Sequence, residues 1–210
     1  LLAAWLEGRM RKTIALILAA TMTILLAACS NNSELKSEGI TPYELTDREK
    51  RLLQSFDLEN NSQIIEFNAP QKAISLNVNI YRLNSDGEWD NTDEGGISIG
   101  IDREPVKVIT GFFTMKLNKD YTIDFVINSN GGKASYKTKG FTVEPNITAS
   151  AIDFLDEFQE IKINEEMPVA LMIYDSGTSL RSYSVQDYFE PSKFEGMDLV
   201  QAVTLSFSDK

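Results

Sequence analysis

The residue types that carry most enzyme chemistry are thin in this chain. It contains no histidine, which removes the commonest general base, the Ser-His-Asp and Cys-His nucleophile pairs, and imidazole metal sites. Its single cysteine, Cys29, has no partner for an internal disulfide. The chemistry that remains is that of paired carboxylates, as in glycosidases, or of a serine with a lysine base. With 31 acidic residues, spacing alone selects no particular pair. No nucleophile elbow, phosphate loop or metal-spaced cluster occurs, so no catalytic residue is assigned.

Two segments could instead bind something. In Asn84 to Gly96 (NSDGEWDNTDEGG), Asp86, Glu88 and Asp90 alternate, and hard cations such as calcium prefer oxygen ligands. The spacing departs from that of the helix-flanked calcium loop, and no acidic residue stands where that loop needs its bidentate ligand. A solvated hairpin loop is the favoured reading, because Asp, Asn and Gly are also what turns require, with Trp89 as a core anchor. The second segment is the long connection between strands ending near Asp175 and starting near Asp198. It carries Arg181, Tyr183, Tyr188, Phe189 and Phe194, residue types that combine apolar area with a polar end and are enriched where surfaces bind partners. The favoured reading is that its rings fold back over one open end of the sandwich, with a minor strand near 181–185, because most large apolar side chains are buried for packing alone. Arg181, Tyr183, Tyr188 and Phe189 are the candidate partner-binding residues. Asp175-Ser176-Gly177-Thr178-Ser179 lacks a base and reads as a turn.

The amino-terminal thirty residues set the location. Met10 is followed by Arg11 and Lys12 and then by an apolar run ending at Ala28, the layout of an export signal. Thr13 to Ala28 is 16 residues, short of the roughly 20 that a permanent spanning helix needs, so cleavage is expected over 10–28. Leu26-Ala27-Ala28-Cys29 resembles the lipobox of bacterial lipoproteins at all four positions. That resemblance implies a diacylglycerol thioether and further acyl lipid, such as palmitate, on Cys29, which becomes the first mature residue. Residues 1–9 fit no signal layout and are expected to be upstream sequence foreign to the precursor. Beyond the lipobox, the general texture of the chain is similar to that of uncharacterised lipoproteins of low-GC Gram-positive bacteria. In such a host the domain would sit on the outer face of the cytoplasmic membrane.

The net charge is −11. Removing residues 1–28 takes away three cations and one anion, leaving −13. A surface this acidic disfavours nucleic acid and anionic headgroups as partners, and no cofactor other than the covalent lipid is implied.

The elements that must position these residues are mostly strands. Residues 29–41 are polar and aperiodic and read as a flexible tether, with a single domain over 42–210. Thr46-Asp47-Arg48-Glu49 fits a capping box, predicting a short helix over 46–56 with Leu52, Leu53 and Phe56 on one side. Alternation of apolar and polar residues then predicts half-buried strands at Ile74 to Ile80, Ile97 to Ile101, Tyr121 to Ile127 and Leu199 to Phe207. Between Val106 and Leu117 the apolar phase switches near Thr110-Gly111, predicting a bulge. Val169 to Tyr174 is apolar throughout, predicting a strand buried on both faces, in a hairpin with Ile161 and Ile163. Ser150 to Phe158 reads as a second helix, capped by Ser150 with Asp153. About nine strands and one or two short helices predict an antiparallel β-sandwich, immunoglobulin-like in general architecture, with an open barrel as the alternative.

The function expected is that of a membrane-anchored surface lipoprotein acting as a non-catalytic binding or assembly module for an envelope protein or glycan. The alternatives are a carboxylate-based hydrolase of envelope polysaccharide and a ligand- or ion-binding accessory of a transporter.

Overall fold

A computed structural model describes residues 37–99, 108–130, 132–140 and 146–210. The segment expected to be an export signal, Cys29, the expected tether up to residue 36, Ile101 and Val106 lie outside the described residues. Among the described residues, no helix is long and apolar enough to cross a membrane.

Alternation dictates the architecture. In β3 (Ser75–Leu83), Leu76, Val78 and Ile80 are buried on one face, and Ser75, Asn77 and Asn79 point to the other. The same pattern in β5 (Thr110–Leu117) and β6 (Ile123–Ser129) gives each strand one apolar face, and in β11 (Leu199–Ser208) it puts Leu199, Val203, Leu205 and Phe207 on the face toward the main core. Burying those faces against each other requires two layers. With β1 (Gly39–Pro42), β2 (Ser62–Asn68), β7 (Gly132–Lys137) and β9 (Gln159–Glu160), one antiparallel sheet has the order β7-β6-β5-β2-β1-β9. With β4 (Trp89–Ser98), β8 (Ala149–Phe154) and β10 (Glu166–Asp175), the other has the order β4-β3-β11-β10-β8. The eleven strands of the described residues thus form an antiparallel sandwich. Phe67 of the first sheet meets Phe207 of the second with ring centres 5.9 Å apart, inside one core built from both layers.

On one side the layers approach over a glycine. Tyr136 of β7 stacks on Phe125 and donates its hydroxyl to Gly96 O at 2.7 Å. A Cβ on Gly95 would lie 2.9 Å from the Tyr136 ring, closer than van der Waals contact allows, so only glycine admits the ring there.

The helix α1 (Asp47–Ser55) begins at Thr46 with both capping-box hydrogen bonds formed, as its sequence predicts. No residue of it is buried, however, and Leu52 and Phe56 stay exposed, so its apolar side is not spent on the core.

Several expectations are corrected. Residues 149–154 form β8 and not a helix: Ile152 and Phe154 turn to the core and Ala151 to the outside, paired with β10 from Ala170↔Phe154 to Asp175↔Ala149. Asp153, the expected capping partner, instead accepts from Val185 N–H at 2.7 Å; satisfying the ladder of a fully buried strand outweighs a local capping signal. No hairpin joins 161–163 to β10. The chain there changes layers, since β9 pairs with β1 while β10 pairs with β11 and β8. The pairing of β5 runs without a shift on both sides, with Ile109, Phe113, Met115 and Leu117 all inward, so no bulge sits at Thr110-Gly111. Irregularities occur instead at Ile80/Tyr81 and Pro168/Ala170. The acidic loop is shorter than expected, a tight turn from Asn84 to Glu88 followed directly by β4. Gly39 and Ile40 are buried in β1, so the domain starts ahead of residue 42. No strand forms near 181–185; the described residues there lead into two 3₁₀ turns, Val185–Phe189 and Pro191–Phe194.

Candidate functional site

The connection from β10 to β11 lies on the outer face of the second sheet. Its two ends are tied by Ser176 N–H, which donates to Asp198 Oδ2 at 2.6 Å, and the first end is turned by Gly177 N–H donating to Asp175 Oδ2 at 2.9 Å. The Asp198 carboxyl is held below the usual carboxylate range by the hydrogen bonds from Ser176. The first 3₁₀ turn opens on a capping box between Ser184 and Asp187, and Lys193 donates to Asp187 Oδ1 at 2.6 Å and Glu190 Oε1 at 3.0 Å. The Lys193 ammonium is the main reason the Asp187 carboxyl is held down, with the Ser184 backbone second.

These turns press rings into a second apolar cluster, in which Leu171, Ile173, Tyr188, Phe194, Val200 and Ala202 are buried. This explains why β10 is apolar on both faces: one side meets the main core and the other meets this cap. Trp89 stacks on Tyr188 at 5.1 Å and 24° and donates its indole N–H to Tyr188 O at 2.9 Å, so it is an anchor of this second cluster. Phe194 packs edge-on to Trp89 at 6.1 Å and beside Tyr183 at 5.5 Å.

Beneath the rings lies a carboxylate that pattern reading missed. Glu166, at the start of β10, accepts from Tyr81 Oη at 2.5 Å, Tyr188 Oη at 2.8 Å and Asn79 Nδ2 at 3.1 Å. Burial, then the Glu166 carboxylate, pushes both tyrosine hydroxyls up well beyond their ordinary range. Three of the roughly four acceptor positions of a carboxylate are thereby taken by the protein's own donors, which suits a clamp better than an acid or base awaiting substrate. Nothing in the sequence joins these residues, since Tyr81 and Glu166 are 85 positions apart.

The four residues singled out in this connection take different places. Tyr188 is buried. Arg181 and Tyr183 line, with Ser182, Ser184, Asp187 and Lys193, a hollow of about 420 Å³ on the surface. Phe189 stands 59% exposed, edge-on to Tyr188 at 5.3 Å. In the acidic turn, Asp90 Oδ1 accepts from Asn84 Nδ2 at 3.1 Å, and Asp86 and Glu88 are exposed. Among the described residues no group of three acidic or other ligating side chains is placed to hold a metal ion, these included.

No family model, curated protein or solved structure matches this chain. Function must therefore be argued from the site itself.

Proposed function

We propose that this chain is a membrane-anchored surface lipoprotein whose sandwich is a non-catalytic binding or assembly module, engaging an envelope protein or glycan through the rim of the aromatic cap. The lipobox ending at Cys29 supports the anchor. The observation that carries the binding role is Phe189, a large apolar ring left 59% exposed on a base of stacked, hydrogen-bonded aromatics. An exposed aromatic ring seated on a packed base is the kind of residue that anchors an interface. Arg181 and Tyr183, which line a surface hollow of the same connection, add donors and apolar area. A catalytic role finds less support, because the carboxylate most surrounded by donors, Glu166, is engaged by Tyr81, Tyr188 and Asn79.

The test is in-cell crosslinking of the lipoprotein followed by mass spectrometry, with Phe189→Ala and Arg181→Ala as surface variants. A captured envelope component lost in both variants supports the reading. Capture unchanged by either variant, or none above background, overturns it. Labelling with a fatty-acid analogue, abolished by Cys29→Ala, tests the anchor separately.

A further inference from the structure

A second concavity, remote in composition from the cap, opens between the two layers at one end of the sandwich. It has a volume of about 670 Å³ and is bounded by the end of β5 and its following turn, the start of β8, the end of β10 and the residues after α1. That volume falls in the roughly 300–1,000 Å³ range of small-molecule sites. Its walls are Phe56, Leu58, Leu117, Tyr121, Ile152 and Tyr174. Tyr121 and Tyr174 meet edge to face at 4.9 Å and 76°, and Tyr174 is only 8% exposed, so one ring forms the floor and the other a side.

Two backbone features converge on this cleft. Among the described residues, three non-glycine positions have left-handed backbone: Asp57 (φ 58°), Tyr121 (φ 62°) and Asn164 (φ 63°). The first two line the cleft. Asp57 occupies the position after the α1 cap, where Asp57 N–H donates to Gln54 O and Leu58 N–H to Leu53 O, a Schellman ending that ordinarily takes glycine. Tyr121 closes the turn from β5 to β6, with Tyr121 N–H bonded to Asn118 O and Asn118 N–H to Thr122 O; glycine is the usual residue there as well. A bulky ring held in this conformation is a known mark of ligand sites.

Two cations stand at the mouth of this cleft in an acidic chain. Lys116 and Lys119 line it against one acid, Asp57, although the whole chain carries −11. Lys116 also pairs with Asp124 at 3.7 Å, whereas Lys119 has no ion-pair partner among the described residues. Ser150 adds a hydroxyl.

We propose that this cleft binds a small free carboxylate with an apolar body, the body resting against Tyr121, Tyr174 and Ile152 and the carboxylate at Lys119 with Lys116 behind it. The source is a soluble molecule, because a chain this acidic is repelled by a planar anionic membrane. The site is independent of the cap and of the partner proposed for it.

The test uses the full lipidated chain in nanodiscs of neutral phosphatidylcholine and three probes of matched body, phenylacetate, 2-phenylethanol and 2-phenylethylammonium, with hexanoate as an aliphatic counterpart. Binding is read by saturation-transfer NMR and calorimetry. Saturable binding of phenylacetate or hexanoate, weakened at least tenfold by Lys119→Glu with an unchanged melting temperature and absent for the ammonium probe, supports the proposal. Tyr121→Ala should abolish binding; should that variant unfold, Lys119→Glu still decides. Equal binding of all three phenyl probes, insensitivity to Lys119→Glu, or no saturable binding of either carboxylate overturns it. Carboxylate affinity that falls when the discs contain phosphatidylglycerol would assign the cleft to a lipid headgroup and overturn the soluble source.

Discussion

The cap and the end cleft are built from the same residue types and use them in opposite ways. In the cap, Tyr81, Trp89, Tyr188 and Phe194 fill a second core, and its polar tips are spent on Glu166 and on the Tyr188 carbonyl. In the cleft, Tyr121 and Tyr174 pack on each other and line a concavity, with lysines at the edge. Aromatic content therefore says little about binding until the burial of each ring and the partner of each polar tip are known. Within the cap the same distinction separates Tyr188, consumed by packing, from Phe189, left outside.

If the cap is a true core, deleting its rings must unfold the domain. Phe194→Ala should cost about 3–5 kcal/mol, the range for buried aromatic truncation, read as a shift in the denaturant midpoint; a change below 1 kcal/mol would mean that the connection is a loosely held flap. Next in size, Glu166→Ala removes the acceptor for two tyrosine hydroxyls and the Asn79 amide. It should cost about 1–3 kcal/mol, the penalty of orphaned donors, and Glu166→Gln, which keeps one acceptor oxygen, should cost less.

Alkali probes cap and cleft together. The hydroxyls of Tyr81 and Tyr188 in the cap are raised by burial and by Glu166, and Tyr174 on the cleft floor is pushed up to about 12, chiefly by burial and then by Tyr121. Their contribution to stability is fully present below the ordinary tyrosine value near 10 and is lost as pH rises through the raised folded values. Absorbance titration should show these three tyrosines ionising last, with cooperative unfolding above about pH 11; all seven tyrosines ionising near pH 10 without unfolding would disprove the burial of these hydroxyls.

Smaller effects sharpen the contrast from the cleft side. Asp57→Gly should stabilise the domain by up to about 1 kcal/mol by relieving left-handed backbone, while leaving the cap untouched. Phe189→Ala should change stability by less than about 0.5 kcal/mol, as exposed substitutions do, and yet remove capture of a partner. Equal losses of stability at Phe189 and Phe194 would erase the distinction drawn between them.

What could be read from the chain directly was whatever depends on neighbours in sequence. Strand β3 was legible because Leu76, Val78 and Ile80 alternate with Ser75, Asn77 and Asn79, and a half-buried strand needs nothing further. The α1 start was legible because Thr46 and Glu49 satisfy each other's backbone within one turn. The same local logic misread 150–158, where Ser150 and Asp153 imitate a cap but Ile152 and Phe154 are needed at the edge of a sheet. It also joined Ile163 to β10 as a hairpin, since nearness in sequence cannot reveal that the chain is changing layers.

Composition and alternation thus pointed to antiparallel strands with one buried face each, because that removes their apolar surface from water, and the two separate sheets decide for the sandwich over the barrel that alternation left open. Which sheet each strand joins, which rings of the 176–198 connection are buried, and the meeting of Glu166 with Tyr81 and Tyr188, or of Tyr121 with Tyr174, were decided only by tertiary structure. Such contacts join residues tens of positions apart, and their energies depend on distance and desolvation that exist only once the layers have packed.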